Sequence, residues 1–249
     1  IRQNTATVIN SVTEFLGLSA PDQAAKFASP SPSKSDTAEA EPMFFAGELL
    51  QWNTFGNAGT ETTEPSVFND PNISSANLTF GSVTAAANSN RFGGSNWFDT
   101  GDTNPTTLAE SITGNDYIQF IVTPNSGYRF TPTSFVFSWD HSATGPANVA
   151  LRSSVDGYAS NLGTVTGLAA NITTGNTITI SGLTNLTTAT TFRLYGYGAT
   201  ATGGTGGFDT STSVVNVQLN GTTSAIPPTI TSVSPTSGST SGGFTLTVN

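Results

Sequence analysis

The sequence predicts an all-β protein, an antiparallel sandwich, and three observations carry that expectation. Charged residues make up only 9% of the 249 positions, against roughly 25% in a typical globular protein. Solubility therefore falls to Thr, Ser, Asn and Gly, and Thr also favours strands. Short apolar stretches alternate with period two, the mark of strands with one buried face. Turn-forming residues separate these stretches, with no long helical period between them. An apolar content of 35%, with 16 Phe, supplies the core.

Residues 1–42 stand apart. In TATVINSVTEFLGL, Val8, Val12, Phe15 and Leu16 recur at three- and four-residue spacing, which predicts an amphipathic helix ending near Gly17. SAPDQAAKFA follows, with Ser19 as a cap and Pro21 in the first turn of a second helical stretch. Ser29–Pro42 has Pro, Ser and alternating charge without apolar periodicity, and reads as an extended linker. A lone helix this short is marginal in water. Residues 1–28 are thus either a loosely attached leader or an arm whose apolar stripe docks on another protein subunit.

Residues 43–225 read as the sandwich. FFAGELLQWNTF opens it and ANLTFGSV follows. DYIQFIV sets Ile118, Phe120 and Val122 on one face, and TSFVFSWD does the same for Phe135, Phe137 and Trp139. ANVALRSSVD places Val149, Leu151 and Val155 on one side and Arg152 on the other; NTITISGL, TFRLYGYGA and SVVNVQLNG complete the series. Turns are expected at Pro124–Gly127, Asp156–Gly157, Thr174–Asn176 and Asn220–Gly221. Eight or more such strands point to a jelly roll.

Two resemblances extend this reading. ANVALRSSVDGYASNLGTVTG, NTITISGLTNLTTATTFRLYGYGA and GGFDTSTSVVNVQLNG resemble the jelly-roll modules of large secreted proteins in Bacteroidetes-type bacteria. The matching positions are Leu151–Tyr158, Phe192–Tyr197 and Val215–Gly221, within a likeness that covers most of residues 44–221. The closing segment, residues 226–249, resembles the start of an IPT/TIG immunoglobulin-like domain. Pro228, Ile230, Val233, Pro235, Gly238, Gly242, Gly243, Leu246, Thr247 and Val248 meet its pattern. The resemblances imply a modular, extracellular or cell-surface bacterial protein. The start at Ile1, without Met or a basic-plus-apolar leader, fits a mature secreted chain.

The balance of charge narrows the function. A net charge of −9 opposes nucleic-acid binding, which needs a basic footprint. No apolar run approaches the roughly 20 residues of a membrane span. Without cysteine there is no disulfide or thiolate metal site. Both lysines, Lys26 and Lys34, precede the sandwich, which excludes a lysine–asparagine cross-link within it and leaves strand edges without lysine protection. Side-by-side assembly is tolerated.

Candidate chemistry is sparse. The sole histidine, His141, follows Asp140 at a strand end and reads as an ordinary surface residue. No nucleophile-elbow or zinc-helix motif occurs, and Gly203–Gly207 reads as a flexible turn rather than a phosphate loop. Catalysis is not expected. In FDTGDTN, Asp99, Asp102 and Asn104 are spaced as oxygen ligands, a set that suits a structural calcium; the alternative is an Asx turn. For polysaccharide binding, the aromatic candidates are Trp97 and Phe98 in GGSNWFDTG, with Tyr158 and Tyr195; Trp52 and Trp139 belong to the core pattern. Sequons at Asn72, Asn77, Asn171, Asn185 and Asn220 are expected by chance in so Asn- and Thr-rich a chain. Two functions emerge: a non-catalytic structural or adhesive protein acting through assembly, and a carbohydrate-binding module of a larger secreted protein.

Overall fold

The computed structural model describes residues 47–229, and beyond them the backbone of two short strands, Val233–Ser234 and Thr247–Val248. Two antiparallel sheets enclose one apolar core, as the sequence predicts. The first holds β1 (Glu48–Trp52), β3 (Phe68–Asn69), β5 (Thr84–Ala85), β6 (Arg91–Ser95), β8 (Tyr128–His141), β11 (Thr174–Thr179), β13 (Gly206–Asp209) and β14 (Val217–Ala225). The second holds β2 (Thr63–Pro65), β4 (Asn77–Phe80), β7 (Tyr117–Val122), β9 (Asn148–Ser153), β10 (Gly163–Val165) and β12 (Thr190–Tyr197), in the order β10-β9-β12-β7-β4-β2. A helix, α1 (Leu108–Gly114), leads into β7. Its start is fixed by a capping box in which the Thr107 side chain and Glu110 satisfy each other's backbone N–H groups.

Strand β8 organises the first sheet. Both β11 and β14 pair with residues 134–137 of β8, so they occupy opposite edges. Strand β13 meets Trp139, as β11 does, and therefore continues the edge held by β14. Set aside β2 to β6 and β13, and eight remain in chain order: β1, β7, β8, β9, β10, β11, β12 and β14. They lie as β1-β14-β8-β11 in one sheet and β7-β12-β9-β10 in the other. Most connections thus cross between sheets.

Period-two alternation fills the space between them. Ile118, Phe120 and Val122 of β7, Phe192 and Leu194 of β12, and Val149 and Leu151 of β9 are all buried, as are Phe135, Phe137 and Trp139 of β8. The Phe120 ring lies 5.1 Å from Trp52, 5.3 Å from Phe135 and 5.3 Å from Phe192. Full burial of each such ring contributes about 1.5–3 kcal/mol.

Four local expectations are corrected. Thr174–Asn176 is no turn but the start of β11, paired with β8 through Trp139. Asn220–Gly221 lies inside β14 at a bulge: Asn220 pairs with Ser134 and Gly221 with Pro132, leaving Thr133 unmatched. That extra residue moves the buried face of β8 from Phe130 and Pro132 to Phe135, Phe137 and Trp139. A β-carbon on Gly221 would stand 2.3 Å from the Thr131 carbonyl oxygen, so close backbone approach demands glycine there. Gly206 and Gly207 belong to buried β13, not to a flexible turn. Val155 is 51% exposed because β9 ends at Ser153 and a 3-10 turn carries it outward.

The helical stretches expected in residues 1–42 lie outside the described residues, as does most of the segment resembling a TIG start. Within that segment β15 (Val233–Ser234) and β16 (Thr247–Val248) pair antiparallel.

Candidate functional site

On β12 the inward residues are Phe192 and Leu194, so Arg193 and Tyr195 point to the outer face of the second sheet. Register brings partners to them across both neighbours: Arg193 stands opposite Gln119 of β7 and Arg152 of β9, and Tyr195 opposite Tyr117. The Arg193 guanidinium lies 4.2 Å from the Tyr117 ring centroid and 4.0 Å from that of Tyr158. Its Nε donates to Gln119 Oε1 at 3.1 Å and its Nη1 to the Tyr195 hydroxyl at 3.4 Å. Burial works against the Arg193 charge, but the Tyr195 hydroxyl and the surrounding phenols raise its pKa overall. Burial also raises Tyr117, with Arg193 opposing.

The stretch Leu151–Tyr158 builds the remaining wall. Arg152 donates from Nη1 to the Tyr158 carbonyl at 2.6 Å and from Nε to Asn161 Oδ1 at 2.6 Å, which fastens the loop after β9. Asp156 accepts from Ser160 N–H at 2.9 Å and Ala159 N–H at 3.2 Å. Slight burial would raise its pKa, but those N–H groups hold it below the usual range. Gly157 and Tyr158 both take left-handed backbone, at φ 68° and 63°, which turns the Tyr158 ring back over Arg193. Two arginines thus stand directly opposed on one sheet face, an arrangement that is unfavourable unless compensated. Among the described residues the ion pairs are both made by Arg91 instead.

The other aromatic candidates fall elsewhere. Trp97 is fully buried: its edge meets Trp139 at 5.8 Å, and its Nε1 donates to the Gly94 carbonyl at 2.8 Å. Its expected stacking on a sugar is corrected, because no face of the indole reaches the surface. Phe98 is half-buried against the core. Tyr195 belongs to the Arg193 cluster but is only 1% exposed, so its ring is a wall of the site rather than a platform. Trp52 and Trp139 lie in the core as expected.

The acidic loop closes as a four-residue backbone turn rather than an Asx turn: Asp102 N–H donates to the Asp99 carbonyl at 3.1 Å, and Asp102 Oδ2 accepts back from Asp99 N–H at 2.7 Å. Asn104 turns away and donates to the Thr200 carbonyl at 3.1 Å, so it does not join the two aspartates. Asp116, just past α1, does approach them. It is fully buried, its Oδ1 accepts from the Ser82 hydroxyl, and burial raises its pKa to about 6, with Ser82 opposing and Asp99 and Asp102 adding to the rise.

His141 is 3% exposed rather than on the surface; its ring nitrogens face the Ser142 carbonyl at 2.7 Å and the Leu168 carbonyl at 3.0 Å. Its neighbour Asp140 points across the strand to Arg91, which also pairs with Asp209 at 2.9 Å. Burial pushes Asp209 up and Arg91 draws it back. Nothing in the local sequence around Arg91 signals this buried triad, whose members are 49 and 118 residues apart. Compared with family models and with curated proteins, the chain matches none.

Proposed function

We propose that the sandwich is a non-catalytic carbohydrate-binding module, taking an acidic polysaccharide on the outer face of the second sheet. One observation carries it: Arg193 is held between aromatic walls, directly opposite Arg152, and among the described residues no carboxylate pairs with either. Guanidinium groups fixed in this way bind carboxylates in charge-assisted, bidentate fashion. Tyr158 and Gln119, the half-buried members of the cluster, add the neutral hydrogen bonds that sugar hydroxyls need. The strand order β1-β14-β8-β11 against β7-β12-β9-β10 is that of two interlocked Greek keys and supports the jelly-roll assignment. With the resemblance to secreted bacterial modules and to a TIG start, it supports a place in a modular extracellular or cell-surface protein.

Affinity electrophoresis in gels containing a polyuronate or a neutral glucan tests the reading. Retention is expected in the polyuronate alone, weakening with salt and falling at least about tenfold in Arg193→Ala, since a charge-assisted bond contributes about 1.5–3 kcal/mol. Equal retention by Arg193→Ala and wild type would sink it.

A second reading, structural or adhesive assembly, draws on β11. This lysine-free strand pairs only with β8 among the described residues, and exposes Gly175, Thr177 and Thr179. Such an edge suits strand addition. Light scattering of the full chain tests it: a monomer at all concentrations would remove its support.

A further inference from the structure

We propose that the loop after β6 and the end of α1 form a calcium site whose innermost ligand is Asp116. The inference is independent of the sheet-face reading. Asp116 Oδ2 is buried and has no hydrogen-bond partner among the described residues, while Oδ1 is taken by Ser82. An ionised carboxylate is not left so in a fold without a compensating group. The space it faces is kept open by Gly114: a β-carbon there would stand 2.9 Å from Asp116 Oδ2 and 2.8 Å from Asp99 Oδ2. Two carboxylates thus close on one spot from two directions. Asp99 and Asp102 also line an adjoining open cavity of about 380 Å³, which has room for the waters a cation retains. The spot lies at the C-terminal end of α1, where no basic residue occupies the last turn to offset the negative end of the helix dipole.

Calcium suits this set better than magnesium. It takes six to eight oxygens at about 2.3–2.6 Å in irregular geometry, whereas magnesium demands a compact octahedron. Among the described residues no three acidic or histidine side chains already surround one point at ligand distance. Binding therefore requires Asp102 to release the Asp99 amide and swing its carboxylate inward, with Asp99 and Asp116 as the fixed pair. The rival resolution is a proton on Asp116, which leaves no role for a metal.

The test uses the full chain stripped with chelator. Terbium, a calcium mimic, should give saturable luminescence excited through Trp97, two residues from Asp99 in the sequence, and calcium should displace it. The thermal midpoint should rise in about 1 mM calcium, the concentration range of extracellular modules. Asp116→Asn keeps an oxygen for Ser82 and removes the buried charge. It should unfold no earlier than wild type in chelator, yet bind terbium at least about tenfold more weakly. Asp99→Asn should lose binding likewise, while Asn104→Ala should retain it. Wild type with no calcium-dependent midpoint and no terbium signal would overturn the site, as would undiminished binding by both aspartate variants.

Discussion

Trp97→Ala separates burial from binding. The indole is fully enclosed and lies on the backbone of Gly196, where an added β-carbon would stand 2.6 Å from its Cε3. Neither that backbone nor Trp139 can collapse into the space the ring would vacate. Truncating a buried Trp costs about 3–5 kcal/mol, cavity included. The lost bond from Nε1 to the Gly94 carbonyl lies within that figure, at about 1 kcal/mol. For a domain of this size each kcal/mol lowers the midpoint by about 2–4 °C. Trp97→Ala should therefore melt roughly 6–20 °C below wild type, and Trp97→Phe should recover more than half of the difference. The assay pairs calorimetry with polysaccharide retention measured well below either midpoint. Retention by the folded Trp97→Ala protein should match wild type, whereas Arg193→Ala should lose it without a comparable drop in midpoint. Retention lost in Trp97→Ala with the midpoint within about 3 °C of wild type would refute the placement of this ring in the core.

Other outcomes follow from the same geometry. Arg91→Ala strands the buried Asp209 and the half-buried Asp140 without a cation and should cost about 3–5 kcal/mol in urea unfolding; the added changes Asp140→Asn and Asp209→Asn should recover part of it. Gly221→Ala forces a methyl against the Thr131 carbonyl and Leu49, at 2.3 and 2.6 Å, and should destabilise by about 1–3 kcal/mol; a true turn at Asn220–Gly221 would tolerate it. The capping-box N–H and hydroxyl donors of Thr107 and Thr103 hold Glu110 near pKa 2, below its unfolded value. Its stabilising contribution is therefore present above about pH 4.3 and lost as pH falls through about 2. Glu110→Gln should flatten that part of the acid-stability curve, and an unchanged acid limb would exclude the capping role.

Strands β1, β4, β7, β8, β9, β11, β12 and β14 were legible because each carries apolar residues of its own at strand spacing. Ile118, Phe120 and Val122 declare a buried face whatever pairs with them. Strands β6 and β13 were not, and the reason lies in their partners. Gly93 and Gly207 approach so closely that a β-carbon on Gly93 would meet the Gly206 carbonyl at 2.3 Å. Where two backbones press together there is no side-chain pattern to read, so RFGGS and GGFD resemble loop. Trp97 misled for a related reason: the nearby Gly93 and Gly94 suggest a free loop, yet they lie against the backbones of Gly206 and Thr84, and the room for the indole comes from Gly196 on β12.

The candidate binding face follows the opposite logic. LRSSVDGY and FRLYGY are visible strings, but what they make depends on register. A shift of one residue between β12 and β7 would turn Arg193 from Gln119 toward the core-facing set of Ile118 and Phe120. The pairing Phe192↔Phe120 and Leu194↔Ile118 fixes that register through apolar burial, and so places Arg193 among Tyr117, Gln119 and Arg152 on the outer face. The loop held by Arg152 then adds Tyr158. The core thus determines the site: the burial that aligns the inward residues also gathers two arginines and three tyrosines on the other side of the sheet.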